Sequence, residues 1–253
     1  MSNPTSTPKN TEGFEPKEKD LKLFGVFTGI FVTVLVVATV ASTKIFSLGS
    51  FTFPAGLLVF PITFIFNDIL TEVYGYSRSR RIIWTGLGCQ ALAGLTFWIV
   101  GILPPASFWN HQAAYDAVLG FVPRVALAGL TAYFCGEFAN SVVLSKMKYV
   151  EKGERGLKQG WRFVASTMVG EAVDSIVFMS IAFIGEIPPA AIVSTIITLY
   201  IAKVLYEIVA LPFSIRFANW VKKIEGVDYI DTPQLTNYNP FAVFSIRSTH
   251  QIE

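Results

Sequence analysis

Six apolar runs divide this chain, each long enough to cross about 30 Å of hydrocarbon at about 1.5 Å of helix rise per residue. They are Leu21–Ser42, Phe53–Thr71, Ile82–Leu103, Pro123–Ser145, Trp161–Ile184 and Pro188–Phe217. Inside a bilayer every backbone polar group must find its partner within the protein, so runs of this length read as helices. The fold class expected is an all-α membrane protein with six transmembrane helices. Composition agrees: 15% of the 253 residues are charged, against about 25% in a soluble domain. Pro123 and Pro188–Pro189 suit first helical turns, where a missing N–H costs nothing. Leu103-Pro104-Pro105 ends the third run, and Pro212 predicts a kink late in the sixth that frees the Ile208 carbonyl.

Lys and Arg in the short loops set the orientation. Lys9, Lys17, Lys19 and Lys22 precede or open span one, and Arg78, Arg80 and Arg81 follow span two. Lys146, Lys148, Lys152, Arg155, Lys158 and Arg162 lie between spans four and five, and Arg216, Lys222, Lys223 and Arg247 close or follow span six. The other side holds Lys44 and Arg124. Both termini are therefore expected in the cytoplasm, with the basic loops acting as topology signals and lipid-surface contacts. Residues 1–20 read as a disordered cytoplasmic tail, 21–220 as the six-helix membrane domain, and 221–253 as a cytoplasmic tail too short and irregular for a domain. No cleavable signal peptide is expected, because the first run is long enough to span. Cys89 and Cys135 both fall in apolar runs, which argues against a disulfide. With His111 and His250 as the two histidines, no zinc pattern can be assembled, and no cofactor is expected. No phosphate loop of the G-x-x-x-x-G-K-[ST] type is present.

Charged side chains at membrane depth are costly and are functional candidates by default. Span two holds Asn67 and Asp68, with Glu72 at its cytoplasmic end. Gly136-Glu137-Phe138-Ala139-Asn140-Ser141 in span four reads G-E-x-x-N-S, and Gly170-Glu171-Ala172-Val173-Asp174-Ser175 in span five reads G-E-x-x-D-S. Residues three and four apart share a helix face. Glu137, Asn140 and Ser141 thus form one polar patch and Glu171, Asp174 and Ser175 another, able to face each other across antiparallel spans. The glycine before each lets backbone or ligand approach. Lys203 and Glu207 stand four apart on span six and predict an internal ion pair. Structural hydrogen bonding between helices competes with a ligand or proton site for the acidic patches. For Asn67 and Asp68, pairing with an Arg such as Arg81 competes. Glu72 reads as a helix-end charge, and Trp84, Trp98 and Trp161 as lipid-facing or interfacial anchors.

Several carboxylates with Asn and Ser, walled by aromatics, suit a flat ligand rich in N–H donors, such as a guanine-like ring. One carboxylate accepts from adjacent N–H and NH2 groups, another from the five-membered ring, while Asn or Lys donates to a carbonyl. A cation or protonated amine suits the same pocket.

The stretch Phe66-Asn67-Asp68-Ile69-Leu70-Thr71-Glu72-Val73-Tyr74-Gly75, then Arg80-Arg81-Ile82-Ile83-Trp84, Gly136–Ser141, and Gly170–Ser175 after Arg162 and Ser166-Thr167, resembles the queuosine precursor transporter family, also described as vitamin-uptake-transporter-like. The resemblance runs from about Leu21 to Trp220. It implies uptake of a 7-cyano- or 7-aminomethyl-7-deazaguanine, or queuine, across the bacterial plasma (inner) membrane for tRNA modification. It also implies no catalytic activity and no direct nucleic-acid contact. The family's acidic positions fall on Glu137, Asn140, Glu171 and Asp174, and its D-x-x-x-E-x-Y-G stretch on Asp68, Glu72, Tyr74 and Gly75. The substrate-binding residues expected are Asn67, Asp68, Glu137, Asn140, Ser141, Glu171, Asp174, Ser175, Lys203 and Glu207.

An alternative is the substrate-capture subunit of an energy-coupling-factor transporter for a related vitamin or base. Such subunits resemble one another in docking their ATPase module through a small-residue seam on span one, for which Ala38-x-x-x-Ser42 is a weak match. An intramembrane enzyme lacks a buried Ser–His pair, and a purely structural protein has no use for so many membrane carboxylates. Small-residue helix faces allow a homodimer. Alternating exposure of the site is expected to use Gly136, Gly170 and Pro212 as flexible points. A proton on Glu171, Asp174 or Glu137, or metabolic trapping of the base alone, supplies the energy.

Overall fold

In lipid, a helix that is apolar all round needs no partner, whereas one carrying polar groups must be surrounded by protein. This rule sorts the helices here. A computed structural model describes residues 21–48, 51–120, 123–185 and 188–244. The N-terminal tail expected over residues 1–20 lies outside the described residues.

Helix α1 (Phe24–Ala41) is apolar on every face, and its threonines Thr28 and Thr33 donate to carbonyls of their own helix, each at 2.8 Å. A hairpin follows that the apolar run had hidden. Strand β1 (Ile45–Leu48) pairs antiparallel with β2 (Phe51–Pro54) in the register Ile45↔Pro54 to Leu48↔Phe51. The chain then makes a 3-10 turn over Ala55–Leu58 before helix α2 (Pro61–Tyr74). The second span thus does not start as an α-helix at Phe53. Pro54 and Pro61 have no N–H to give the ladder, and Pro61 takes the first helical position instead.

Helix α2 is the centre of the molecule: 12 of its 14 residues are buried. It meets helix α3 (Tyr76–Gly101) at one residue, Gly75. Gly75 has φ +83°, and a Cβ there would lie 2.4 Å from the Tyr229 ring, so both backbone and space demand glycine. The expected basic loop between spans two and three is therefore the first turns of α3, and Arg78, Arg80 and Arg81 are helical. A short, fully unburied helix α4 (Gln112–Leu119) is tied back to α3 by Tyr115, whose Oη donates to the Phe97 carbonyl at 3.1 Å.

Helices α5 (Pro123–Val150) and α6 (Leu157–Phe183) form an antiparallel pair. Helix α7 (Pro189–Glu225) runs on through Pro212 and ends two turns beyond the expected Phe217, capped by Gly226 in the left-handed region. Among the described residues, six segments are long and apolar enough to cross a membrane. They are Phe24–Ala41, Ala55–Tyr74, Tyr76–Gly101, Leu127–Val150, Leu157–Phe183 and Ile192–Glu225. Leu92, Leu95, Ile176, Ile201 and Val209 point outward from them, as lipid requires. Trp98 and Trp161 are exposed too, whereas Trp84 turns inward and donates to the Pro240 carbonyl at 2.9 Å.

The start of α1 and the end of α7 meet. Glu225 accepts from the backbone N–H of Lys22 and Leu23, at the entry to α1, at 3.0 and 2.6 Å, and from Tyr74 Oη at 3.0 Å. The chain after Glu225 is not a loose tail. Asp231 accepts from the Tyr76 N–H and the Ser145 hydroxyl, both at 2.8 Å, and Arg80 donates to the Asn237 and Asn239 carbonyls at 2.7 and 3.0 Å. The segment lies across the adjoining ends of α2, α3 and α5.

Candidate functional site

The two repeated motifs meet through their glycines. A Cβ on Gly136 would lie 3.0 Å from the Gly170 carbonyl oxygen, and one on Gly170 would lie 3.0 Å from that of Gly136. This reciprocal fit sets Glu137 and Glu171 level with each other, midway along α5 and α6. The expected facing of the two patches is what the structure shows. At both glycines the two helices are in close contact.

Helix α2 enters beside this seam. Asp68 accepts from Asn140 Nδ2 at 2.7 Å, Thr167 Oγ1 at 3.2 Å and Ser166 Oγ at 3.4 Å. Of the two readings left open for Asp68, pairing with an arginine such as Arg81 is not the one seen among the described residues; neutral donors from α5 and α6 hold it instead. Asn67 donates to the Glu137 carbonyl at 3.2 Å and accepts from Ser141 at 3.1 Å. Thr71 Oγ1 lies 3.2 and 2.9 Å from the hydroxyls of Ser141 and Ser79, able to donate to one and accept from the other. These bonds stitch α2 to α3, α5 and α6 with neutral groups.

Lys203 enters from α7 and binds α6. Its Nζ lies 2.6 Å from Glu171 and 2.8 Å from Asp174, with the Phe60 ring centroid 4.8 Å away. The expected Lys203–Glu207 pair is not formed. Two carboxylates across the helix boundary draw the ammonium more strongly than one a turn away on its own helix. Glu207 is left buried, and neither of its carboxylate oxygens has a hydrogen-bond partner among the described residues. The same holds for Glu137, and for Asn140 Oδ1 and the Ser175 hydroxyl. All ten expected site residues thus come together on α2, α5, α6 and α7. Five are carboxylic acids, and they face a single ammonium.

A second charged cluster sits at the α7 end of the fold, and the sequence had read its members differently. Glu72 does stand in the last turn of α2, but it is fully buried rather than facing solvent. Arg162 grips it with Nε at 2.8 Å and Nη2 at 2.5 Å, and Lys222 adds a bond at 2.5 Å. Lys148 donates to the Glu72 carbonyl, to Asp228 at 2.6 Å and to the Tyr229 carbonyl at 2.7 Å. Arg80, Lys148, Arg162 and Lys222, expected as exposed topology signals, are buried structural cations. Burial pushes the Asp228 carboxyl up, but the adjacent Lys148 and Lys222 outweigh it and hold the group below the usual carboxylate range. The hydroxyls of Ser166 and Thr167 and the ring of Phe60 are site residues that sequence reasoning gave no role. Ser166-Thr167 stood among the residues that carry the family resemblance, but the long gaps in sequence to Asp68 and Lys203 hid what they touch. Among the described residues no group of His, Cys, Asp and Glu is arranged to hold a metal ion, and Cys89 and Cys135 are free thiols.

Residues 54–217 match the family described as "Putative vitamin uptake transporter". The chain belongs to that family. It is 31% identical over 192 residues to a "Probable queuosine precursor transporter" of Bacillus subtilis, covering 74% of this chain and 82% of the relative. It is 26% identical over 176 residues to a protein of the same description from Haemophilus influenzae, covering 67% of this chain and 71% of the relative. No solved structure matches it. The multi-pass helical architecture and the family are those that the motifs implied.

Proposed function

We propose that this chain takes up a 7-deazaguanine precursor of queuosine (the 7-cyano or 7-aminomethyl base, or queuine) across the bacterial plasma membrane, for use in tRNA modification. The observation that carries the reading is the buried site itself. It has five carboxylic acids, one ammonium and unmet hydrogen-bond acceptors at mid-span, in a chain related to proteins described as queuosine precursor transporters. A deazaguanine brings N–H donors on two edges and a carbonyl for a donor such as Lys203. Phe60 and Phe64, whose rings stand 5.8 Å apart, supply aromatic surface beside the site. The ten residues Asn67, Asp68, Glu137, Asn140, Ser141, Glu171, Asp174, Ser175, Lys203 and Glu207 frame the site, and the protein moves the base without chemically altering it. Both termini face the cytoplasm, as the basic residues gathered at the α1-start and α7-end side direct.

The energy-coupling-factor alternative finds its docking seam half covered. Ala38 is buried, and Gly56 packs so closely on Ala38 and Ser42 that a Cβ there would meet the Ser42 hydroxyl at 1.8 Å. Complementation tests the proposal. The chain is expressed in a bacterium that can neither make nor import the precursor, single 7-deazaguanines are fed, and queuosine is measured in tRNA. Wild type restores queuosine, and Glu171→Gln and Asp174→Asn, made to normal level in the membrane, do not. No restoration with any precursor overturns the proposal.

A further inference from the structure

Within the mid-span site the carboxyls divide into two sets. Asp68 takes three side-chain donors, and Glu171 and Asp174 share Lys203. Glu137 and Glu207 are 0% and 1% exposed, and none of their four carboxylate oxygens is hydrogen-bonded among the described residues. Buried acceptors are almost always satisfied, and leaving one unmade is costly. Asn67 and Thr63 lie beside Glu137, but the acceptors of both acids are left open to donors that a ligand would bring. Glu137 comes from α5 and Glu207 from α7, and the charge of each bears directly on both Asp68 and Glu171. They reach the site from two different helices.

We propose that Glu137 and Glu207 are the residues that read the base, each accepting from a different N–H edge, one the ring N–H and amino edge, the other the pyrrole N–H. This rests on the uptake reading above. Asp68, Glu171, Asp174 and Lys203 hold the frame, and Asn140 Oδ1 adds a further unmet acceptor. A site with this excess of acceptors selects a donor-rich neutral or cationic ring and rejects one whose N–H edges are blocked.

The test is calorimetric binding to the purified chain in lipid nanodiscs. The ligands are 7-aminomethyl-7-deazaguanine, its analogue without the 2-amino group, and its analogue methylated on the pyrrole nitrogen. Wild type binds the parent base, and each analogue loses about 10- to 100-fold, the size of a charged hydrogen bond. Glu137→Gln and Glu207→Gln each lose about as much for the parent, with no fall in melting temperature. The losses cancel in matched pairs: the variant lacking the carboxylate that reads one edge binds the parent and the analogue lacking that edge within about threefold of each other. A merely structural role produces no such cancellation. Variants that bind the parent like wild type, or losses that add for every pair, overturn the assignment while the uptake reading stands. A wild type that binds none of these bases overturns the uptake reading and this assignment with it.

Discussion

Glu72 shows how much one residue can hold. Its carboxylate and carbonyl together gather Arg162, Lys148 and Lys222 from three helices into a space closed to water. Buried ion pairs are seldom a large net gain, but removing one partner strands the others. Glu72→Gln is expected to cost about 3 to 5 kcal/mol, read as a lowered melting temperature in detergent. Unchanged melting would show the cations to be solvated. Asp228, at the edge of the cluster, gives a pH signature. Its carboxyl titrates below the ordinary range when folded, so its contribution is complete above the unfolded value and lost as pH falls through the folded one. Melting temperature should drop from about pH 4 downward, and Asp228→Asn should blunt that drop. None of this was legible in the sequence. Glu72 stood at the end of a run and looked like a boundary charge, because its partner Arg162 lies ninety positions away. The acidic patches were legible because their members sit within one helical turn of one another.

At the scale of the helix, the G-E-x-x-[ND]-S pair is a packing code as well as a site. Each glycine removes the side chain that would hold α5 and α6 apart. A methyl at position 170 would meet Asn140 Cβ at 2.8 Å and Phe64 at 2.9 Å, groups that belong to the site wall. Gly170→Ala is therefore expected to destabilise by about 1 to 3 kcal/mol and to impair uptake beyond what the stability loss explains, with melting and complementation measured on the same variant. A variant of full activity would show that the seam gives. Helix positions were read well wherever an apolar run was uninterrupted, as in α1, α5 and α6. They were misread where protein replaced lipid as the neighbour. Helix α3 begins six residues before Ile82 because the C-terminal segment buries Tyr76, Ser79 and Arg80. The β-hairpin and α4 escaped notice because one carries the same apolar residues as a span and the other is too short to show a period.

For the whole molecule, one end is tied and the other is not. Around the start of α1 and the end of α7, charges and the segment after Glu225 link α1, α2, α3, α5, α6 and α7. At the opposite end the described contacts are lighter: a hairpin, the unburied α4 and an open apolar groove of about 580 Å³ lined by Ser180, Ile184 and Pro188. Any route for a base toward the tied end must part this cluster. Removing the residues after Glu225 is expected to lower both melting temperature and uptake. If instead uptake rises while the fold holds, the segment is a brake on transport rather than a brace. The apolar runs made the number of crossings readable, since it needs only counting. The docking of the last residues was not readable, since it rests on backbone carbonyls, which carry no sequence signature.

Asp228 bridges cations carried by two different helices, Lys148 of α5 and Lys222 of α7, from a segment that belongs to neither. It sits like a keystone: a shift of either flank is felt by the other through one carboxylate.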